Sequence, residues 1–99
     1  LIDRGDLSKS TGIEKIPVIQ RNILKKSKKY GAKIAVATNF LESMIENSYP
    51  TRAEVNDIYN TIEMGAKFLV LAAETAIGKY PKDCIILLKK IIKEFKKEN

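Results

Sequence analysis

Three short apolar runs in this chain each end in a polar cluster, and the spacing of the clusters constrains the fold more than any other feature. Leu1-Ile2 runs into Asp3-Arg4-Gly5-Asp6, Ile34-Ala35-Val36-Ala37 into Thr38-Asn39, and Phe68-Leu69-Val70-Leu71 leads to Glu74-Thr75. The clusters recur roughly every 33 to 36 residues, the length of one βα unit. Parallel strands joined by helices all end on the same side. The three clusters are therefore expected on one surface, outside the carboxyl ends of the strands, where α/β proteins build their sites.

The chain has 99 residues, room for one small domain at most. It opens on Leu1, inside the first apolar run, which reads as a piece of a longer chain. A parallel sheet is normally buried on both faces, and three such strands alone leave both edges open. Further strands are expected from the rest of the chain or from a partner, and the isolated segment is expected to fold poorly.

Formal net charge is +6. Lys25, Lys26, Lys28, Lys29, Lys89, Lys90, Lys93, Lys96 and Lys97 supply most of the excess, interleaved with apolar positions on predicted helices. That pattern reads as solvated outer faces. The basic segments lack interleaved aromatics, a zinc pattern or a Gly-rich basic loop, so no nucleic-acid partner is expected. No apolar stretch approaches the roughly 18 residues of a membrane span, so no membrane partner is expected. The single cysteine, Cys84, reads as a core thiol and suits a reducing cytoplasm. There is no histidine, so proton transfer or metal binding falls to carboxylates, hydroxyls, Lys or Tyr.

Periodicity gives the order β-α-β-α-β-α. Residues 1–3 read as the end of a strand and Ser8 to Gly12 as a polar turn. Ile16, Ile19, Ile23 and Ser27 recur at helical spacing, with Pro17 in the first turn and Gly31 closing the helix. Ala32 to Thr38 is a buried-type strand. Phe40 to Asn47 reads as a short helix with Leu41, Met44 and Ile45 inward. Thr51-Arg52-Ala53-Glu54 is a capping box, which starts a helix with Val55, Ile58, Tyr59 and Ile62 on its apolar stripe and Gly65 at its end. Lys67 to Leu71 is the third strand. A turn through Gly78 to Pro81 precedes a last helix that buries Cys84, Leu87, Leu88, Ile91, Ile92 and Phe95.

Each cluster has a plain structural reading and a chemical one. Asp6 after Gly5 suits a turn or helix cap, and equally a hard cation such as Mg²⁺. The tripeptide Arg4-Gly5-Asp6 matches an adhesion motif, but this copy abuts a buried strand. Thr38 at a strand end needs a hydrogen-bond partner, structural or ligand. Glu74 calls for a salt bridge to Arg4 or a Lys, or a catalytic use. Together, an acid, a hydroxyl and a second acid at successive strand ends suit an anion-plus-metal site.

The same residues carry a resemblance to the pyruvate kinase family, whose usual strings are ARGDLG, ATQMLESM, PTRAE with a following D, and GETA followed by YP. This chain has Asp3-Arg4-Gly5-Asp6-Leu7-Ser8, then Ala37-Thr38-Asn39-Phe40-Leu41-Glu42-Ser43-Met44. It continues with Pro50-Thr51-Arg52-Ala53-Glu54 and Asp57, then Ala73-Glu74-Thr75-Ala76 with Tyr80-Pro81. Order and spacing match throughout. The resemblance implies that residues 1–99 are a fragment of the family's (β/α)₈ TIM barrel, from strand six through helix eight. The Lys-Ile-Glu motif of strand five, the potassium ligands, the lid domain and the domain after the barrel lie outside it.

By position, the resemblance implies that Asp6 binds Mg²⁺ or Mn²⁺. The Gly5 and Asp6 amides with the Thr38 hydroxyl would hold the substrate carboxylate. Thr38 and Glu74 would be catalytic, with Glu74 near the proton path to the enolate. Arg4 and Arg52 would lie near the site at a subunit interface. The implied chemistry is the glycolytic transfer of phosphate from phosphoenolpyruvate to ADP, giving pyruvate and ATP. It calls for K⁺ and Mg²⁺ and for the rest of the barrel, in a cytoplasmic homo-oligomer. The chain departs from the family strings at Asp3 for Ala, Asn39 for Gln, Ala72 for Ser and Ala73 for Gly. Ser8, Lys9 and Ser10 replace Gly-Val-Glu. These departures imply a divergent member, and motivate the alternative of a non-catalytic metabolite-binding or regulatory module.

Overall fold

A computed structural model describes residues 1–37 and 40–98. Three short strands, β1 (Ile2–Asp3), β2 (Ala35–Ala37) and β3 (Phe68–Val70), form a parallel sheet in the order β1-β2-β3. Among the described residues five helices accompany them: α1 (Arg4–Thr11), α2 (Ile16–Tyr30), α3 (Arg52–Glu63), α4 (Ala73–Ala76) and α5 (Pro81–Glu98). Two 3₁₀ turns, Ile13–Lys15 and Glu42–Ile45, join them. The expected βαβαβα order is present, with two extra helical pieces after β1 and β3.

Register aligns Ile2 with Val36 and Leu69, and Asp3 with Ala37 and Val70. Successive strand residues face opposite sides, so Ile2, Val36 and Leu69 share the face that meets the helices. The core gathers Ile2, Leu24, Val36, Phe40, Leu41, Met44, Ile58, Ala66, Cys84 and Ile91. Tyr59 on α3 meets Phe95 on α5 edge to face, with ring centroids 5.6 Å apart. On β3 the opposite face is open, with Phe68 56% and Val70 41% exposed. No helix among the described residues is long and apolar enough to cross a membrane.

Local chemistry corrects several sequence expectations. Ser8 to Gly12 is no turn, because α1 runs to Thr11. The hydroxyls of Ser8 and Thr11 donate to the Gly5 and Leu7 carbonyls, each at 2.8 Å, within the helix rather than replacing it. On α2 Ser27 is buried as expected, but Gln20 and Leu24 are the other buried residues, whereas Ile23 is 37% exposed. Gly31 closes α2 with φ +71, as its sequence position predicts. The Phe40–Asn47 helix contracts to the 3₁₀ turn, with Leu41 and Met44 buried as expected.

The face that buries Leu24 also places Gln20 in the seam between α2 and α3. Its Nε2 donates to Thr61 Oγ1 at a long 3.4 Å, and its Oε1 has no partner among the described residues. A buried acceptor without a donor costs stability, while an apolar residue of like shape avoids that cost. Gln20→Met is therefore expected to stabilise the full-length protein by about 1 kcal/mol. Equilibrium urea unfolding checks this, and a loss of stability would contradict it.

Candidate functional site

Asp3 ends β1 and caps α1. Its Oδ1 accepts from the Gly5 amide at 3.0 Å and the Asp6 amide at 3.2 Å. Aspartate is among the favoured caps because its short carboxylate reaches amides that the first helical turn leaves unpaired. Asp6 follows in that first turn and is exposed. Among the described residues its carboxylate accepts no hydrogen bond and meets no cation. Arg4 lies between them and is only 9% exposed. Its Nη1 donates to both carboxylate oxygens of Asp57 at 2.7 Å, and its guanidinium carbon sits 4.1 Å from the centre of the Phe40 ring. The sequence left a pair between Arg4 and Glu74 open. Arg4 instead ties the start of α1 to α3.

Thr38 and Asn39 lie outside the described residues, so the expected roles of Thr38 have no structural account. Beyond them, Phe40 and Leu41 are fully buried and the Glu42–Ile45 turn begins. That turn is fastened to the start of α3 by one carboxylate. Glu54 accepts from the Ser43 amide at 2.8 Å, from the Ser43 hydroxyl, and from the Thr51 amide at 2.9 Å. Its own amide donates to Thr51 Oγ1 at 3.2 Å, which completes the capping box read from sequence.

Burial pushes the Glu54 carboxyl up, but the hydrogen bonds from Ser43 and Thr51 outweigh it and hold the net value below 4.5. A depressed folded value means that the stabilisation is present above the unfolded value and is lost as pH falls through the folded one. Urea unfolding of the full-length protein is expected to show a stability loss below pH 4.5 that Glu54→Gln lacks. Parallel pH profiles for the two proteins would refute the assignment.

Glu74 sits in the first turn of α4 and is 1% exposed. Its Oε1 accepts from the Ala72 amide at 2.8 Å, and no cation pairs with it among the described residues. The main chain fixes its depth. The Ala72 carbonyl accepts from the Thr75 and Ala76 amides at 3.1 and 3.0 Å, and Gly78 folds back with its amide 3.0 Å from the Ala73 carbonyl. A Cβ on Gly78 would stand 2.4 Å from the Glu74 carbonyl oxygen, so only glycine fits that turn. Cys84 is buried against Glu74, its Sγ 3.9 Å from the same carbonyl. Burial, then the Glu74 and Asp83 charges, push its thiol up, as befits a core residue.

The sheet register brings the three strand ends level, with Asp3, Ala37 and Val70 in line. Asp6 and Glu74 each follow their strand by a few residues, in the first turn of α1 and α4. No hydrogen bond joins their side chains among the described residues. Arg52 is exposed at the first position of α3 and makes no ion pair among the described residues. The sequence reading missed the Asp3 cap, the Arg4–Asp57 pair and the grip of Glu54 on Ser43. An Asp just ahead of a helical segment was a signal for the first. The other two join residues 53 and 11 positions apart, and no local pattern announces them. Among the described residues no three His, Cys, Asp or Glu side chains cluster as a complete metal cage.

The fold and its strand-end residues define a segment of a parallel α/β domain, with its polar side chains collected beyond the carboxyl ends of the strands. Residues 1–85 match the family model for the pyruvate kinase barrel domain, and the chain belongs to the pyruvate kinase family. It is similar to the pyruvate kinase of Thermotoga maritima, 51% identical over 98 residues, which is 99% of this chain and 21% of that protein. The pyruvate kinase of Methanocaldococcus jannaschii is 48% identical over 93 residues, covering 94% of this chain and 21% of its own. That of Pyrobaculum aerophilum is 46% identical over 92 residues, covering 93% and 20%. The chain thus spans about a fifth of the length of the curated relatives it matches.

Proposed function

We propose that this segment contributes the strand-six to helix-eight part of a (β/α)₈ barrel that transfers phosphate from phosphoenolpyruvate to ADP. The observation that carries the reading is the exposed Asp6 carboxylate, unpartnered among the described residues, at the end of a strand in a chain of this family. In such a barrel the open face of Phe68 and Val70 is covered by the strands that close it.

Mg²⁺ takes one or two carboxylates and completes its shell with water and substrate oxygens, so one open aspartate fits it where a three-ligand cage is not needed. Asp6 is the residue that would hold Mg²⁺ or Mn²⁺, and the bound ion would neutralise charge on the transferring group. The remaining work falls to the chain itself. The Gly5 and Asp6 amides and the Thr38 hydroxyl hold the substrate carboxylate and fix its orientation. Glu74, buried and bonded to the Ala72 amide, lies near the proton path to the enolate carbon. Arg4 and Arg52 stand beside the site near a subunit contact of a cytoplasmic, glycolytic homo-oligomer. K⁺ is held by residues outside this segment.

The deciding assay is pyruvate formation by the full-length protein from phosphoenolpyruvate and ADP with Mg²⁺ and K⁺, beside Asp6→Ala. Activity that collapses in the variant supports the reading. No activity in a well-folded protein favours the second reading, a non-catalytic metabolite-binding or regulatory module. Ala72 motivates that alternative: it meets the Glu74 carboxylate only through its amide and has no hydroxyl to extend a proton relay.

A further inference from the structure

The two amides assigned to the substrate carboxylate already have an occupant. The Gly5 and Asp6 amides both donate to one oxygen of Asp3, at 3.0 and 3.2 Å. A carboxylate arriving from solution needs those same donors. It also meets two negative side chains, because Asp3 caps α1 and Asp6 lies in its first turn. Arg4, the cation next in sequence, directs its guanidinium to Asp57 and over the Phe40 ring.

We propose that Asp3 is a resident competitor of the substrate, a side-chain carboxylate that must swing out before a carboxylate ligand binds. The inference rests on the reading above, in which the Gly5 and Asp6 amides hold the substrate carboxylate. The Asp3 backbone is extended, with φ −97 and ψ 104, so a change of side-chain rotamer suffices and the strand need not move. Displacement weakens ground-state and transition-state binding alike, which places the effect on KM more than on kcat. Asp3 in this sense sets a threshold on carboxylate binding. It penalises weak carboxylate ligands and admits those that gain enough elsewhere in the site.

The test is oxalate binding to the full-length protein with Mg²⁺, by isothermal titration calorimetry, with Asp3→Ala, Asp3→Asn and Asp6→Ala. Alanine removes both the charge and the acceptor. Asparagine keeps a capping oxygen, and with it the start of α1, but removes the charge. The oxalate Kd is expected to fall about tenfold in Asp3→Ala, the scale of a charge-assisted hydrogen bond, and by a smaller factor in Asp3→Asn. The KM for phosphoenolpyruvate should fall with it. An oxalate Kd unchanged or raised in both variants, with their helical circular dichroism intact, overturns the inference. Should alanine fail to fold, an unchanged Kd in asparagine overturns it alone. If oxalate binding depends on Asp6 but ignores Asp3, the competitor idea falls and the site reading stands. If neither the unaltered protein nor either Asp3 variant binds oxalate, both fall.

Discussion

Asp6→Ala in the full-length protein is expected to lower kcat for pyruvate formation by about 100- to 1,000-fold or more, the range seen when one group that stabilises transferring charge is removed. Its stability should shift by only about 1 kcal/mol or less, the value of a carboxylate near a helix start. The structure separates the two effects. The Asp6 side chain is exposed and holds no other described residue, so its loss leaves packing intact. Raising Mg²⁺ should recover part of the activity if the lost group binds the ion. Unchanged steady-state kinetics would remove Asp6 from the reaction.

Asp57→Ala is expected to act through the fold, with turnover lost as stability falls. Its carboxylate takes two 2.7 Å contacts from a guanidinium that is itself largely buried against Phe40. Removing one partner of a fully buried pair costs about 3–5 kcal/mol. Asp57 is 35% exposed on its side chain, which lets water replace part of the loss, so about 2–3 kcal/mol is expected here. Arg4 stands between Asp3 and Gly5, so the first turn of α1 should loosen as well. Melting temperature and turnover then fall together in Asp57→Ala, whereas Asp6→Ala loses turnover alone. Calorimetry beside the kinetic assay reads both, and a full-strength melt in Asp57→Ala would contradict the role given to the pair.

What could be read from the residues alone was local. The capping box Thr51–Glu54 was legible because both partners lie within one turn, and the closing Gly31 because an apolar stripe stops just before it. Strand ends were legible from short apolar runs that stop at polar residues. The Ser8–Gly12 segment misled because its hydroxyls, which favour turns, here bond back along the helix. The face of α2 was misjudged because neighbouring apolar residues, Val18-Ile19 and Ile23-Leu24, allow two stripes, and the core takes Leu24. Of the candidate site, the sequence put Asp6 and Glu74 just beyond strand ends, where the structure has them. Their states were not legible: that one is exposed and the other enclosed follows from how α1 and α4 leave the sheet.

The turn after Glu74 bears on how such a site tolerates drift. Among the described residues Ala72 and Ala73 are held through their own amides and carbonyls, and the absent side chain of Gly78 leaves the Glu74 carbonyl its room. Ala72 and Ala73 stand where the family strings carry a hydroxyl and a glycine. Substitution there alters what surrounds the acid without relocating it. The acid's address is written in the main chain, so the neighbourhood is open to exchange while the address itself hangs on one glycine.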